Sequence, residues 1–135
     1  MAASSADIGY NATFGIHNGT TYDLVAEVTA INPPGYSRDS EEVTHLTSDN
    51  QYKEFIAAMK EMTSCSFTLN FIPSASDAIV TAFEADTGQF QITAPNAVTM
   101  TFSGFVTAYQ IGEMTPGGKM TAEVTIQPTG KATLA

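Results

Sequence analysis

The chain has 135 residues, which fits one domain with a substantial hydrophobic core. Hydrophobic residues make up 43% and charged residues only 14%, against roughly a quarter charged in ordinary soluble domains. Charge is depleted at the centres of protein interfaces, so this composition favours a surface covered by other subunits. A secreted β-rich domain coated with Ser and Thr is the alternative. The formal net charge of −9, with five scattered bases that form no patch, argues against binding DNA phosphates through clustered cations.

Residues 1–20 are small and polar and predict an N-terminal arm or a short edge strand. Residues 22–31 alternate with period two, which predicts one strand. The Pro-Pro-Gly sequence that follows stops it and opens a polar loop over 32–42. Residues 48–51 match a capping box, and apolar residues then recur at helical spacing, so we expect a helix over 49–62. That apolar face comprises Tyr52, Phe55, Ile56, Met59 and Met62.

In the second half, alternation predicts a strand from Cys65 to Phe71 that ends before Pro73. Cys65, the single cysteine, is expected to be a buried, inert thiol. A short helix capped by Ser76 and Asp77 follows. This helix is predicted over 77–85 and is expected to bury Ile79, Val80 and Phe83. The remaining predicted elements, in chain order, are a strand over 90–94, a long strand over 97–111 with a bulge at Gly104, a strand over 120–127 and a loose C-terminal tail over 128–135.

These elements predict a single domain over 1–135 of the α+β class, mainly β. Its expected architecture is an antiparallel β-sandwich or barrel with a flanking α-helix and a second short helix, because no βαβ rhythm is present. No apolar run approaches the roughly 20 residues of a membrane span, so we expect no membrane insertion. The N-terminal segment lacks the features of a signal peptide, so we expect synthesis and retention in the cytoplasm.

No catalytic or metal-binding constellation is visible. His17 and His45 are far apart and have no neighbour at metal-ligand spacing. Glu41 and Glu42 are adjacent in extended chain and therefore point to opposite faces. The Thr-Pro-Gly-Gly-Lys sequence at 115–119 lacks the spacing of a phosphate loop. We expect a non-enzymatic protein with no catalytic residues, metal or cofactor.

The order of elements resembles the tail tube proteins of lambda-like siphophages. The resemblance covers about residues 22–130. It rests on an ordered set of features and on no single motif. Two features differ from well-known members: the chain shows no C-terminal immunoglobulin-like decoration domain, and its N-terminal arm is unusual. The shared features that carry the resemblance are Phe67–Pro73 leading into the short helix, Phe90–Pro95, the Phe-Ser-Gly strand over 100–106, and the last strand with its closing Pro128-Thr129-Gly130.

The resemblance implies the tail-tube fold and copies that close into rings, usually hexameric, which stack into a tube around a DNA channel. The implied partners are further copies of the chain and the tape measure, tail-tip and tail terminator proteins. DNA would pass through the lumen without specific binding. The implied location is the tail tube of a virion, after synthesis in the bacterial host cytoplasm. An inner tube protein of a contractile tail or type VI secretion-like system remains an alternative, as does a monomeric β-sandwich binding module.

Two sets of residues are candidates for this role. The loop over 32–42 is the expected contact between stacked rings, since long loops are usually functional or disordered; an ordinary surface loop is the alternative. Its centre comprises Pro33, Pro34, Gly35, Tyr36, Arg38 and Asp39. The expected lumen-facing acids are Asp23, Glu27 and Glu123, with ordinary surface carboxylates as the alternative.

Overall fold

The computed structural model describes residues 9–25, 27–74 and 76–135. Within these residues the chain forms nine β-strands, one α-helix and a 3-10 turn at Asp49–Gln51. No helix in this part of the chain is long and apolar enough to span a bilayer. The elements are β1 (Thr13–His17), β2 (Tyr22–Leu24), β3 (Val28–Asn32), β4 (Tyr36–Glu42), β5 (Phe55–Met62), β6 (Cys65–Asn70), α1 (Ala78–Glu84), β7 (Gly88–Thr93), β8 (Thr99–Ile111) and β9 (Thr121–Leu134).

Seven of the described strands form one antiparallel sheet in the order β2-β1-β7-β8-β9-β6-β3, and β4 and β5 form a separate pair. The sheet's two edge strands, β2 and β3, are joined by residues 25–27 alone. Four Cα steps span at most about 14 Å, so the two edges must lie close together. The sheet therefore curls on itself as a barrel, which confirms the predicted mainly antiparallel β fold.

The core fills the inside of this curled sheet. In β6, Cys65, Phe67 and Leu69 are buried, whereas the residues between them are only partly covered. The ring of Phe14 in β1 lies 4.2 Å, centroid to centroid, from that of Phe67, although three strands separate β1 from β6 in the sheet order. Burial raises the pKa of Cys65 to about 12, so the thiol stays neutral; the prediction of a buried, inert thiol is confirmed.

The predicted N-terminal arm is wrong where the structure describes it. Residues 1–8 lie outside the described residues. Thr13–His17 forms β1, which pairs with β2 on one side and β7 on the other and so is not an edge strand. Phe14 is fully buried in the core. The few apolar residues of this polar segment were a weak signal, but Phe14 lies in the core and Ile16 packs against it.

The predicted strand over 22–31 is two strands. The chain turns at Glu27, whose φ of 55° lies in the left-handed region. The Glu27 carbonyl accepts a hydrogen bond from the Asn70 amide at 3.0 Å, which ties the turn to β6. The period-two alternation of the sequence continues across the turn. It therefore did not show that the chain passes here from one edge strand of the sheet, β2, to the other, β3.

Gly104 marks a close approach of two strands, and the predicted bulge at this residue is displaced. A Cβ at position 104 would lie 2.5 Å from the backbone oxygen of Gln127 in β9. The register shifts fall on either side, between Thr101 and Ser103 and between Val106 and Ala108. Glycine is needed here because any side chain would push β8 away from β9.

The C-terminal residues are part of the sheet, so the prediction of a loose tail over 128–135 is wrong. β9 continues to Leu134 and pairs with β8 as far as Met100. Gly130, with a φ of 76°, accommodates the extra β9 residues opposite the first register shift. Ala132 is buried. The family-like Pro128-Thr129-Gly130 therefore lies within a bulged strand and does not close the fold.

The short helix is confirmed, although its buried face is narrower than expected. The Asp77 carboxylate accepts from the Ile79 amide at 2.9 Å and from the Tyr109 hydroxyl at 2.8 Å, joining α1 to β8. Burial, with the Asp77 hydrogen bond and charge, raises the pKa of Tyr109 to about 12. Ile79 is buried, whereas Val80 and Phe83 are 44% and 46% exposed.

The predicted helix over 49–62 is wrong. Asn50 and Gln51 have positive φ values, and Ser48 makes no side-chain cap, so helical geometry ends after one turn. Phe55–Met62 is strand β5, paired with β4, which itself lies within the predicted loop over 32–42. The apolar residues at helical spacing do not line one face packed on a core: Phe55, Ile56 and Met59 are exposed, and only Met62 at the end of β5 is buried.

The central aromatic packing predicts a large loss of stability on truncation. Phe67→Ala removes a ring that is 2% exposed and stacked on Phe14, so we expect a loss of about 3–5 kcal/mol in the free energy of unfolding. Phe105→Ala, in β8 but 41% exposed, is the matched control, and we expect it to lose about 1 kcal/mol or less. Urea unfolding followed by circular dichroism measures both. Equal losses from the two variants would contradict this description of the core.

Candidate assembly interface

Residues 33–64 form a two-stranded ribbon that does not join the barrel sheet. We call this ribbon the arm; it is a different segment from the N-terminal arm predicted over residues 1–20. β4 and β5 pair only with each other, from Tyr36 opposite Met62 to Glu42 opposite Phe55, with one register shift between Arg38 and Ser40. An isolated two-stranded hairpin is marginally stable in water. The arm therefore depends on its attachment at the base and its local hydrogen bonds, and it has most of its surface available for a partner.

Hydrogen bonds between its own two ends close the base of the arm, and a side-chain bond from β9 connects it to the barrel. The Gly35 amide donates to the Thr63 hydroxyl at 2.7 Å, and the Thr63 amide donates to the Gly35 carbonyl at 2.9 Å. Met62 is buried, and its carbonyl accepts from the Gln127 side chain of β9 at 3.4 Å. Pro34 is also buried. These contacts fix the direction in which the arm leaves the barrel.

The far end of the arm is organised around Glu54. Its carboxylate accepts from the Ser48 hydroxyl at 2.6 Å and lies 3.2 Å from the His45 Nε2. Its amide donates to the Thr44 hydroxyl at 2.9 Å. The turn held by these bonds carries Leu46, whose side chain is fully exposed. The tip is thus an ordered polar turn that presents an apolar side chain to solvent.

Large apolar side chains are exposed along the whole arm. Met59, for example, is 88% exposed in the middle of β5. Contiguous exposed apolar surface of this kind marks interaction sites, because leaving it in water is unfavourable. The exposed apolar residues of the arm are Tyr36, Val43, Leu46, Tyr52, Phe55, Ile56 and Met59.

The predicted contact residues all lie at the base and in the first half of the arm. Pro34 and Gly35 are covered by the attachment to the barrel, whereas Tyr36, Arg38 and Asp39 are exposed on β4. Pro33 is exposed just before the base. The sequence analysis missed the other half of the same surface, β5, because its residues were assigned to a helix. Phe55 and Ile56 are exposed apolar residues of this second half. The sequence analysis did not identify the pairing of their strand with residues 36–42.

The arm also contradicts the expectation that the bases form no patch. Arg38 lies directly opposite Lys60 on the β4–β5 ladder. Both line a groove of about 720 Å³ between the arm and β9, and Lys131 lines the same groove. Three of the five bases in the chain therefore converge where the arm meets the barrel.

The three candidate lumen acids do not share one surface. Glu123 lies between buried Ala122 and Val124, so its side chain is on the outside of the barrel. The Glu27 carboxylate accepts from the side chain of Asn70, which alternates with buried Leu69, at 3.4 Å, and Asn70 also borders the groove beside α1. Asp23 pairs opposite Ile16, which packs on the core, and lines a groove of about 620 Å³ beside α1. The outer face of β6 and β9 around Glu123 is otherwise composed of uncharged polar residues, Ser66, Thr68, Asn70, Thr121, Thr125 and Gln127.

The described residues contain no group of three or more His, Cys, Asp and Glu that could hold a metal ion. His17 packs edge-on to Tyr22, with ring centroids 4.9 Å apart, and His45 pairs with Glu54. The two histidines thus lie in separate local contacts.

A curled antiparallel sheet with a separate ribbon that exposes apolar side chains is the architecture of a subunit that assembles with others. The family model for the lambda phage tail tube protein, TTP, matches residues 11–135, and the chain belongs to this family. The resemblance inferred from the sequence and the tail tube function are thereby confirmed. No curated protein matches the chain significantly.

Solved structures share the fold. A chain of the native gene transfer agent virion superposes with a TM-score of 0.77 at 16% identity, covering 96% of this chain and 99% of that chain. A chain from the sheath/tube terminator of the extracellular contractile injection system PVC gives 0.77 at 10% identity, covering 99% of each. A chain of the tube-terminating cap of the anti-feeding prophage gives 0.76 at 13% identity, covering 100% and 94%.

The tip contacts predict local loosening when Glu54 is removed. Glu54→Ala deletes the acceptor for Ser48 and His45, so amide exchange over residues 43–54 should accelerate while the barrel amides keep their protection. Glu113→Ala, outside the arm, is the control. Hydrogen exchange with mass spectrometry measures both regions. Unchanged exchange at the tip would show that the carboxylate does not hold the turn.

Proposed function

We propose that this tail tube protein polymerises through its arm into stacked rings of six subunits, which form a conduit for DNA. The observation that carries the proposal is the arm itself, an ordered ribbon whose apolar side chains lack a partner within the described chain. A tail with C6 symmetry, that of the empty gene transfer agent particle, contains a chain of the same fold at a TM-score of 0.77. That similarity supports six-fold rings here.

The arm is proposed as the contact between stacked rings. It leaves the barrel between β3 and β6, and its two strands pair only with each other. A contact between two different surfaces of identical subunits repeats without closing on itself along a stack, which builds a tube. The predicted centre, Pro33, Pro34, Gly35, Tyr36, Arg38 and Asp39, is one side of this contact, and β5 is the other.

Glu27 and Glu123 are proposed as lumen-facing acids. They lie on one outer face of the barrel, where the outward-facing residues of β6 and of β9 over 121–127 include no Lys or Arg. Lys131 of β9 lies beyond this stretch. A channel wall of this composition repels phosphate and lets DNA slide, because binding requires cations that release the DNA counterions. Asp23 does not share that face and is left out of the proposed channel wall.

The proposed role is structural and not enzymatic, in keeping with a family of tube subunits. The proposed partners are other copies, the tape measure protein, and the tail-tip and terminator proteins that bound such a tube. The protein is proposed to be synthesised in the bacterial host cytoplasm before it joins the particle. An inner tube of a contractile system is the second candidate, since the fold matches chains of contractile injection systems as well as it matches the gene transfer agent.

Shortening the arm tests the ring-stacking contact. Residues 39–59 are replaced by Asn-Gly, which joins the directly opposite Arg38 and Lys60 through a two-residue hairpin turn and keeps the base intact. We expect a folded monomer with the unfolding midpoint of the wild type and no tubes. Negative-stain electron microscopy and light scattering of concentrated protein, with and without tail-tip complex, measure assembly. Tubes from the shortened chain would refute the arm contact, and a wild type that never assembles would refute the tube function.

Charge reversal tests the channel wall. With Glu27→Lys and Glu123→Lys together, tubes should form normally, but DNA delivery should fall at least about tenfold, because two cations per subunit would hold phosphates. Asp23→Lys, on the opposite side of the barrel wall, is the control and should deliver DNA as the wild type does. Particle morphology and infectivity or gene transfer are the measurements. Equal delivery by all three proteins would place Glu27 and Glu123 outside the lumen.

A further inference from the structure

The two faces of the arm carry opposite charge. Directly opposite residues share a face of a ribbon, so Arg38 and Lys60 lie on one face. Successive residues alternate, which places Asp39 and Glu41 on the other face, together with Glu61, the partner of Ser37. We call these the cation face and the acid face. Glu42 lies on the cation face near the far end of the arm, two pairs beyond the register shift.

The cation face is unfavourable in an isolated subunit. Like charges directly opposite on a ladder destabilise the pair. Among the described residues the one ion pair within 4.0 Å is that of His45 and Glu54, so neither Arg38 nor Lys60 has a carboxylate partner there. Lys131 adds a third cation across the groove. Three of the five bases are thus gathered at one groove, and Glu61, the acid that also borders the groove, forms no ion pair within 4.0 Å with any of them.

We infer that the cation face of one copy receives the acid face of the arm of a neighbouring copy. The contact joins two different faces of the same ribbon, so it is heterologous and repeats from copy to copy. It neutralises the Arg38–Lys60 pair and offsets part of the repulsion between subunits of net charge −9. This inference rests on the proposed function, in which the arm makes subunit contacts.

Protein carboxylates fit this site better than DNA phosphates. The acid face lies on the reverse side of the same thin ribbon, and the chain as a whole is strongly acidic, so a polyanion would be repelled as it approached. A neighbouring arm presents three carboxylates at the spacing of the same ladder. Self-complementary charge of this kind also sets the register of a contact more than its strength.

Charge exchange between the faces is the test. Variant one carries Arg38→Glu and Lys60→Glu; variant two carries Asp39→Lys, Glu41→Lys and Glu61→Lys; variant three carries all five changes. We expect variants one and two each to raise the concentration needed for assembly at least about tenfold, and variant three to return to within about threefold of the wild type. Lys119→Glu, outside the arm, is the matched control for Lys60→Glu. Sedimentation and electron microscopy measure assembly, and thermal unfolding shows that each variant is folded.

The outcomes separate the inference from the tube function. A wild type that forms tubes while variants one and two assemble equally well would overturn the inference alone. Failure of variant three to recover would do the same, because complementary faces must tolerate exchange. Normal tubes with impaired DNA delivery in variant one would assign the cation face to DNA and overturn the inference too. A wild type that forms no tubes under any condition would refute the proposed function.

Discussion

The short connection between β2 and β3 is the constraint on which the rest of the structure depends. Residues 25–27 join the two edge strands of the seven-stranded sheet, so the sheet must curl until its edges nearly meet. Curling brings Phe14 of β1 against Phe67 of β6 and creates a core inside the barrel. The left-handed backbone of Glu27 at this connection is locally unfavourable, and the hydrogen bond from the Asn70 amide to the Glu27 carbonyl stabilises it.

Closure of the barrel leaves β4 and β5 without a sheet to join. Both edges of the main sheet are drawn together, and the ribbon between β3 and β6 has to project outside. Its apolar side chains remain in water, and its Arg38–Lys60 pair lacks an acid among the described residues. Folding and assembly are linked for such a segment, since a partner that covers the arm stabilises a ribbon that has no core of its own.

The elements that the sequence predicted correctly are those whose pattern of apolar and polar residues fits only one type of secondary structure. Cys65, Phe67 and Leu69 alternate with polar residues because one face is buried and the other is not, and Asp77 caps α1 through a contact two residues away. The helix over 49–62 failed because its pattern has two explanations. Phe55, Ile56 and Met59 fit a helical face as well as an exposed strand, and pairing with residues 36–42 decided between them.

The sequence analysis located one half of the candidate contact surface along the chain but did not predict that this half is a strand. The stretch over 32–42 was identified as a contact because it is long and polar, yet its ladder partner in β5, which doubles the surface, depends on a non-local pairing that local signals do not encode. The same pairing places Arg38 against Lys60. Separation of Asp23 from Glu123 likewise follows from the sheet order and register, since a one-residue change in register moves a side chain to the opposite face.

In the proposed tube, charge is distributed so that assembly and conduction do not compete. The outer face around Glu123 carries acids without bases and suits contact with a mobile polyanion. The bases are concentrated instead at the junction of the arm and the barrel, where Lys131 of β9 faces the Arg38–Lys60 pair. In the proposed tube, gathering three of the five bases at a subunit contact would serve the channel as well as the contact, because each base neutralised between copies is one that DNA does not meet.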